Sequence, residues 1–218
     1  GDTANGKRLQ GESSASDTNN AVSAFTFGAQ TGSEFTFTGK FDNPYFGGAE
    51  TPASSEQFGL IITVGGGDFL KLVAGSPGAA FELSGKTANA GFDGADLKVT
   101  PAGVDNTTYA SVELSIDTVV TPTAVTFAGS YTTFDAAGNV LSTGPIGTKT
   151  LTEGALFDAL QGTGDVPAFG LTHTQFGGPN DPFTVSLESM SLTDGNIDLE
   201  GPTGAITVDN IADGDSDI

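Results

Sequence analysis

Chemistry in this chain has to be done by oxygen. The sequence holds no cysteine and a single histidine, His173, which excludes thiol nucleophiles and an ordinary structural zinc site. No G-x-S-x-G elbow occurs, so the usual serine-hydrolase arrangement is missing as well. Acids are plentiful instead, and they gather with Asn and Gly between apolar runs: Asp42-Asn43, Asp93-Gly94-Ala95-Asp96, Asp105-Asn106, Asn180-Asp181, Asp194-Gly195-Asn196 with Asp198, and Asp213 to Asp217. Hard cations take carboxylate, amide and carbonyl oxygens, so calcium is the candidate cofactor, with Asp93, Asp96, Asp194 and Asp198 as its leading ligands. No stretch fits the EF-hand string, and a site would have to be assembled from separate loops. Each loop taken alone also reads as a solvated turn, since Asp, Asn and Gly are turn residues anyway.

Sugar recognition asks for an aromatic platform with polar groups beside it for the hydroxyls. Tryptophan, the usual platform, is absent. The loops Asn43-Pro44-Tyr45-Phe46 and Phe176-Gly177-Gly178-Pro179-Asn180-Asp181 each carry aromatic and amide groups, and Tyr131 and Phe134 are further candidates. The candidate ligand-binding set is Asn43, Tyr45, Phe46, Tyr131, His173, Phe176, Asn180 and Asp181. His173 also has a plain reading as a loop-anchoring histidine at the end of a strand.

These groups need a scaffold, and the composition specifies one. The chain has 218 residues, with 27 acids against seven basic residues and a formal net charge of −20. Scattered cations in so acidic a chain argue against nucleic acid or an anionic membrane as partner. No apolar run approaches transmembrane length. The sixteen phenylalanines fall mostly in short alternating runs such as Phe35-Thr36-Phe37, which read as the core of a β-protein. Acids within strands, such as Glu82, Glu113 and Glu188, read as a solvated outer face.

Short β-favouring runs bounded by Gly, Pro, Asn or Asp recur at 21–28, 34–42, 57–64, 68–74, 79–84, 96–100, 109–117, 123–134, 166–172 and 183–192. Residues 152–160 break the pattern. Leu156 and Leu160 lie four apart, Thr152 is placed to cap and Gly162 to stop, so a short helix is predicted there. The expected class is all-β, an antiparallel two-sheet jelly-roll sandwich with one short helix. Residues 1–20 form a polar leading segment able to carry an edge strand, 21–200 the sandwich, and 201–218 a final strand and acidic linker. The whole is expected to be a monomeric module of a larger chain.

The order of strands resembles the concanavalin A-like (laminin-G-like) lectin and glucanase superfamily found in bacterial adhesin and carbohydrate-binding modules. Phe35 to Phe41 is similar to its opening strand. Phe58-Gly-Leu-Ile-Ile-Thr-Val64 followed by Asp68-Phe-Leu-Lys-Leu72 resembles a central pair, and Ala168 to His173 with Pro182 to Leu192 the closing pair. Laminarinase-like members carry an E-I-D-x-E strand, whereas here Asn196-Ile-Asp-Leu-Glu200 lacks the first acid and Glu113-Leu-Ser-Ile-Asp117 lacks the others. The resemblance therefore implies an extracellular, lectin-like, non-enzymatic module that recognises glycan or cell-surface polysaccharide at a concave sheet or edge loops, with calcium as candidate cofactor, for adhesion or targeting. The alternative is a structural spacer, or a peptide- or protein-binding domain, of a large bacterial surface adhesin.

Overall fold

Alternation of apolar and polar residues sends successive side chains to opposite faces of a strand, and this chain obeys it. Along Glu34–Asp42, Phe35, Phe37 and Phe41 turn inward while Thr36, Thr38 and Lys40 face out. The computed structural model describes residues 18–26, 28–48, 57–65, 67–75, 80–87, 92–94, 96–174 and 186–194. Among them lie strands β1 (Thr18–Thr26), β2 (Glu34–Asp42), β3 (Gln57–Thr63), β4 (Phe69–Gly75), β5 (Ala80–Lys86), β6 (Leu97–Val99), β7 (Ser111–Thr121), β8 (Ala124–Phe134), β9 (Val140–Leu151), β10 (Ala168–Thr174) and β11 (Leu187–Asp194). Helix α1 (Ala155–Leu160) sits between β9 and β10.

The strands form two sheets, a six-stranded one in the order β1-β10-β3-β4-β5-β6 and a five-stranded one in the order β11-β2-β7-β8-β9. The registered pairs are antiparallel throughout. The protein is thus an all-β sandwich with one short helix. Its core is the layer of phenylalanines between the sheets. Phe169 of β10 meets Phe35 and Phe37 of β2 edge-on, at 5.5 and 5.4 Å between ring centres. Phe81 of β5 stacks on Tyr131 of β8 at 4.3 Å, and Phe92 packs edge-on against Phe127 at 5.9 Å. Such pairs lock the facing sheets in one arrangement, beyond what area burial alone supplies.

Two local readings are corrected. β9 goes unseen in the sequence because Gly144, Pro145 and Gly147 interrupt its pattern; it survives as an edge strand, where proline is tolerated. The helix cap lies two residues later than the expected Thr152. Gly154 occupies the N-cap with φ 103° and has no side chain to cap with; Asp68 Oδ2 accepts from the Leu156 N–H at 3.4 Å instead. Leu156, Ala159 and Leu160 of α1 join the core, and Gly162 ends the helix at φ 75°. β1 begins at Thr18, inside the expected leading segment, and pairs with β10. The strand expected near residues 205–208, and all of 201–218, lie outside the described residues. No helix among the described residues is long and apolar enough to cross a membrane.

Candidate functional site

Two of the aromatic residues expected to meet a ligand, Tyr45 and Tyr131, are spent on the core. Tyr45 is fully buried, because the loop that carries it is pinned from beneath. Asn43 is buried too: its Nδ2 donates to the carbonyls of Asn106 and Tyr109, each at 2.7 Å, and its Oδ1 accepts from the Tyr45 backbone at 3.1 Å. Asn43 is therefore a loop clamp, with no hydrogen-bonding capacity turned outward. Tyr131 is buried against Phe81, with its hydroxyl 3.2 Å from Ser142 Oγ. Among the described residues Phe46, next to Tyr45, is exposed at 38 %, and Phe134 is half-buried. His173 pairs in register with Phe58, a core residue, and so points inward; burial holds its imidazole below the ordinary histidine range. Phe176, Asn180 and Asp181 lie outside the described residues.

Of the expected calcium quartet, Asp93, Asp96 and Asp194 fall among the described residues, and their positions in the strands do not bring the three together. Asp93 is committed to a turn, its Oδ1 accepting from the backbone and hydroxyl of Thr87 at 2.6 and 3.1 Å. Asp96 is exposed just before β6, at one edge of the sandwich. Asp194 ends β11 at the edge of the other sheet, paired with Phe35. β6 packs against β9, so β6 and β11 stand at opposite ends of the sandwich. Asp198 lies outside the described residues. Among the described residues, no three His, Asp or Glu side chains gather to hold a metal ion.

The polar grouping that does emerge lies on the outer face of the six-stranded sheet. Core residues Leu70, Leu72, Phe81 and Leu83 fix the alternation of β4 and β5, which turns Lys71, Val73, Glu82, Ser84 and Lys86 outward. Outward side chains of a sandwich are normally solvated. Here Ile61, Val73, Glu82, Ser84 and Thr172 are buried, while Gln57, Lys71 and Phe69 are half-buried and Lys86 and Lys98 exposed. The face thus has a water-excluded floor and a polar rim. Gly59 belongs to the floor, where an added Cβ would lie 2.1 Å from the Leu72 carbonyl.

A continuous chain of polar groups lies across that floor. Lys98 Nζ meets Glu82 Oε2 at 2.9 Å. Gln57 Nε2 donates to the same oxygen at 3.4 Å, and Gln57 Oε1 accepts from Lys71 Nζ at 3.3 Å. The hydrogen bond to Glu82, and then its charge, raise the Lys98 ammonium above its ordinary range. Glu82 was expected on a solvated face, yet its side chain is only 8 % exposed. Beside it Ser84 Oγ is buried with no hydrogen-bond partner. An unfilled polar atom in so short-supplied a place is unusual in a folded protein.

The outer face of the five-stranded sheet contrasts with this. Its hydroxyls satisfy one another across strands: Thr36 donates to Asp117 at 2.7 Å, Thr38 and Ser115 lie 3.2 Å apart, and Thr132 and Thr143 2.9 Å. Lys40 pairs with Glu188 at 2.5 Å and sits 4.9 Å over the Phe134 ring. These cross-strand pairs account for that face as sheet stabilisation. Gln57, Lys71, Glu82, Ser84, Lys86 and Lys98 went unselected in the sequence. Alternation alone puts Glu82, Ser84 and Lys86 on one side of β5, but only the strand order brings Gln57, Lys71 and Lys98 to them.

No protein-family model and no curated protein matches the chain. Some solved structures resemble parts of it. The Bacteroides ovatus xyloglucan PUL GH43B protein is 15 % identical with a TM-score of 0.44, over 73 % of this chain and 27 % of that one. A family 7 alginate lyase is 14 % identical with a TM-score of 0.42, over 78 % of this chain and 65 % of the other. A functionally unknown protein from Saccharomyces cerevisiae is 13 % identical with a TM-score of 0.41, over 87 % and 93 %. This chain spans about a quarter of the length of the first of these. The structures it resembles are named as glycoside hydrolases and alginate lyases, and the expectation of a non-enzyme, drawn from the missing carboxylate string, is withdrawn.

Proposed function

We propose that this chain is an extracellular carbohydrate-recognition domain of a larger surface protein, taking a saccharide on the outer face of the six-stranded sheet. The observation that supports this reading is the chain Lys98–Glu82–Gln57–Lys71 laid over a water-excluded floor. Sugar hydroxyls both donate and accept, and a site for them needs the two kinds of group alternating at fixed spacing. Here ammonium, carboxylate, amide and ammonium follow one another in that way. Ile61 and Val73 are buried beneath them and keep water from the floor.

The test is a broad glycan array on the intact chain, followed by titration of any saccharide that binds, with Gln57→Ala and Phe46→Ala compared. Gln57→Ala is expected to weaken binding by about tenfold, because it removes one polar group of the chain and releases Glu82 and the half-buried Lys71 from the positions it holds them in. Phe46→Ala is expected to leave it unchanged. New reducing ends in the same incubations would report cleavage directly. The reading fails if no saccharide binds, or if Phe46→Ala abolishes binding while Gln57→Ala does not.

A further inference from the structure

Five of the chain's seven cations fall among the described residues, and three of them, Lys71, Lys86 and Lys98, project from this one face. The other two are engaged elsewhere. Lys40 is paired with Glu188 on the opposite sheet, and Lys149 is buried with its Nζ donating to the Phe92 carbonyl at 2.7 Å. Lys98 is neutralised by Glu82. Lys71 contacts only the neutral oxygen of Gln57, and among the described residues neither Lys71 nor Lys86 meets a carboxylate. In a chain with 27 acids and seven basic residues, two adjacent lysines without an acid call for a reason.

Their placement suggests one. Lys71 stands directly opposite Ser84 across β4 and β5, and Lys86 follows Ser84 by two residues on the same face. Diagonal neighbours on one face of a sheet lie roughly 7–8 Å apart, so Lys71, on releasing Gln57 Oε1, can turn back toward Lys86 and share one small anion with it. Ser84, 5 % exposed, lies between them with its hydroxyl still free to donate. Two ammonium groups and a buried hydroxyl make a receptor for an oxyanion, either a carboxylate or a sulfate.

We infer that the saccharide held on this face is acidic, with a carboxylate or sulfate group seated among Lys71, Ser84 and Lys86. The inference rests on the carbohydrate reading above and narrows it to a substrate class. It also explains the unfilled Ser84 hydroxyl, which cross-strand pairing does not.

Calorimetric titration of the whole chain with three hexasaccharides tests it: a neutral β-glucan, a uronate and a sulfated galactan. At least one acidic probe is expected to bind about tenfold or more tightly than the neutral one, the scale of one added charge-assisted contact. Whichever acidic probe binds more tightly identifies the anion. Lys86→Gln should remove most of that preference while leaving neutral binding unchanged, and Lys71→Met should remove it while also weakening neutral binding, since Lys71 belongs to the polar chain that takes the hydroxyls. Lys86 is exposed, so its variant keeps the wild-type melting temperature and isolates the charge effect from folding. Equal binding of neutral and acidic probes overturns the inference and leaves the carbohydrate reading intact. An acidic preference that survives both lysine variants overturns the placement at this face. Binding of none of the three by a folded chain counts against both.

Discussion

Cutting the Lys98–Glu82 pair from its two ends should have unequal consequences. The Glu82 side chain is 8 % exposed and that of Lys98 55 %. In Lys98→Met the carboxylate stays on the floor with only the longer 3.4 Å contact from Gln57. Stripping a partner from a buried acceptor costs about 1–3 kcal/mol. In Glu82→Gln the amide keeps the side-chain shape and still accepts a hydrogen bond, while Lys98 turns to water it already sees. Exposed ammonium groups lose little when a partner goes, so the expected change is within about 1 kcal/mol. One kcal/mol corresponds to roughly 2–4 °C of melting temperature in a domain of this size. Lys98→Met should therefore melt roughly 2–12 °C lower than wild type, and Glu82→Gln within about 4 °C of it. Urea unfolding at pH 7, with m unchanged, is the cleaner assay. The double variant should resemble Glu82→Gln, since no buried charge is left to strand. Equal losses from the two single variants, or a larger loss from Glu82→Gln, would refute the view that Glu82 is the buried, dependent partner.

Three other outcomes follow from the core and its edges. Phe81→Ala removes the ring stacked on Tyr131 and beside Tyr109, and should cost about 3–5 kcal/mol with a collapse of near-ultraviolet tyrosine dichroism. A loss under about 1 kcal/mol would mean that the two sheets are not held by that contact. His173 titrates below its ordinary value because burial disfavours the charged form, so the unfolded chain binds its proton first as pH falls. Its contribution is complete above pH about 6.5 and is lost as pH drops through the lowered folded value. His173→Gln should flatten stability across that window, and an unchanged pH profile would contradict the buried placement. Asp93→Ala loses two hydrogen bonds to Thr87 and should destabilise by about 1 kcal/mol equally with calcium and with chelator. A penalty seen only with calcium would restore Asp93 as a ligand.

The fold was legible because its signal is local. Phe35, Phe37 and Phe41 declare one face of β2 by themselves, and the predicted bounds of that strand, 34–42, match those observed. Where glycine and proline interrupt the pattern, as in β9, the strand is held by its pairing with β8, which a local reading does not contain. The site was less legible, for two reasons. Tyr45 looks like a loop aromatic until Asn43 is seen pinning that loop to the Asn106 and Tyr109 carbonyls, more than sixty residues away. The cations look scattered because Lys71, Lys86 and Lys98 are separated along the chain. They converge because β4, β5 and β6 are neighbours and because alternation sends all three to the same side. Glu82 is misread for the same reason. Its outward direction follows from the sequence, but its burial depends on what surrounds it in space.

The central claim is that the outer face of the six-stranded sheet takes a saccharide. Backbone amide NMR of the isotopically labelled chain, titrated with the acidic hexasaccharide, tests it most directly. Shifts are expected at Gln57, Gly59, Lys71, Val73, Ser84 and Lys86, with Thr36, Ser115 and Thr132 on the opposite sheet unmoved. Shifts confined to Thr36, Ser115, Thr132 and Phe134, or to the Phe46 turn, would contradict the account.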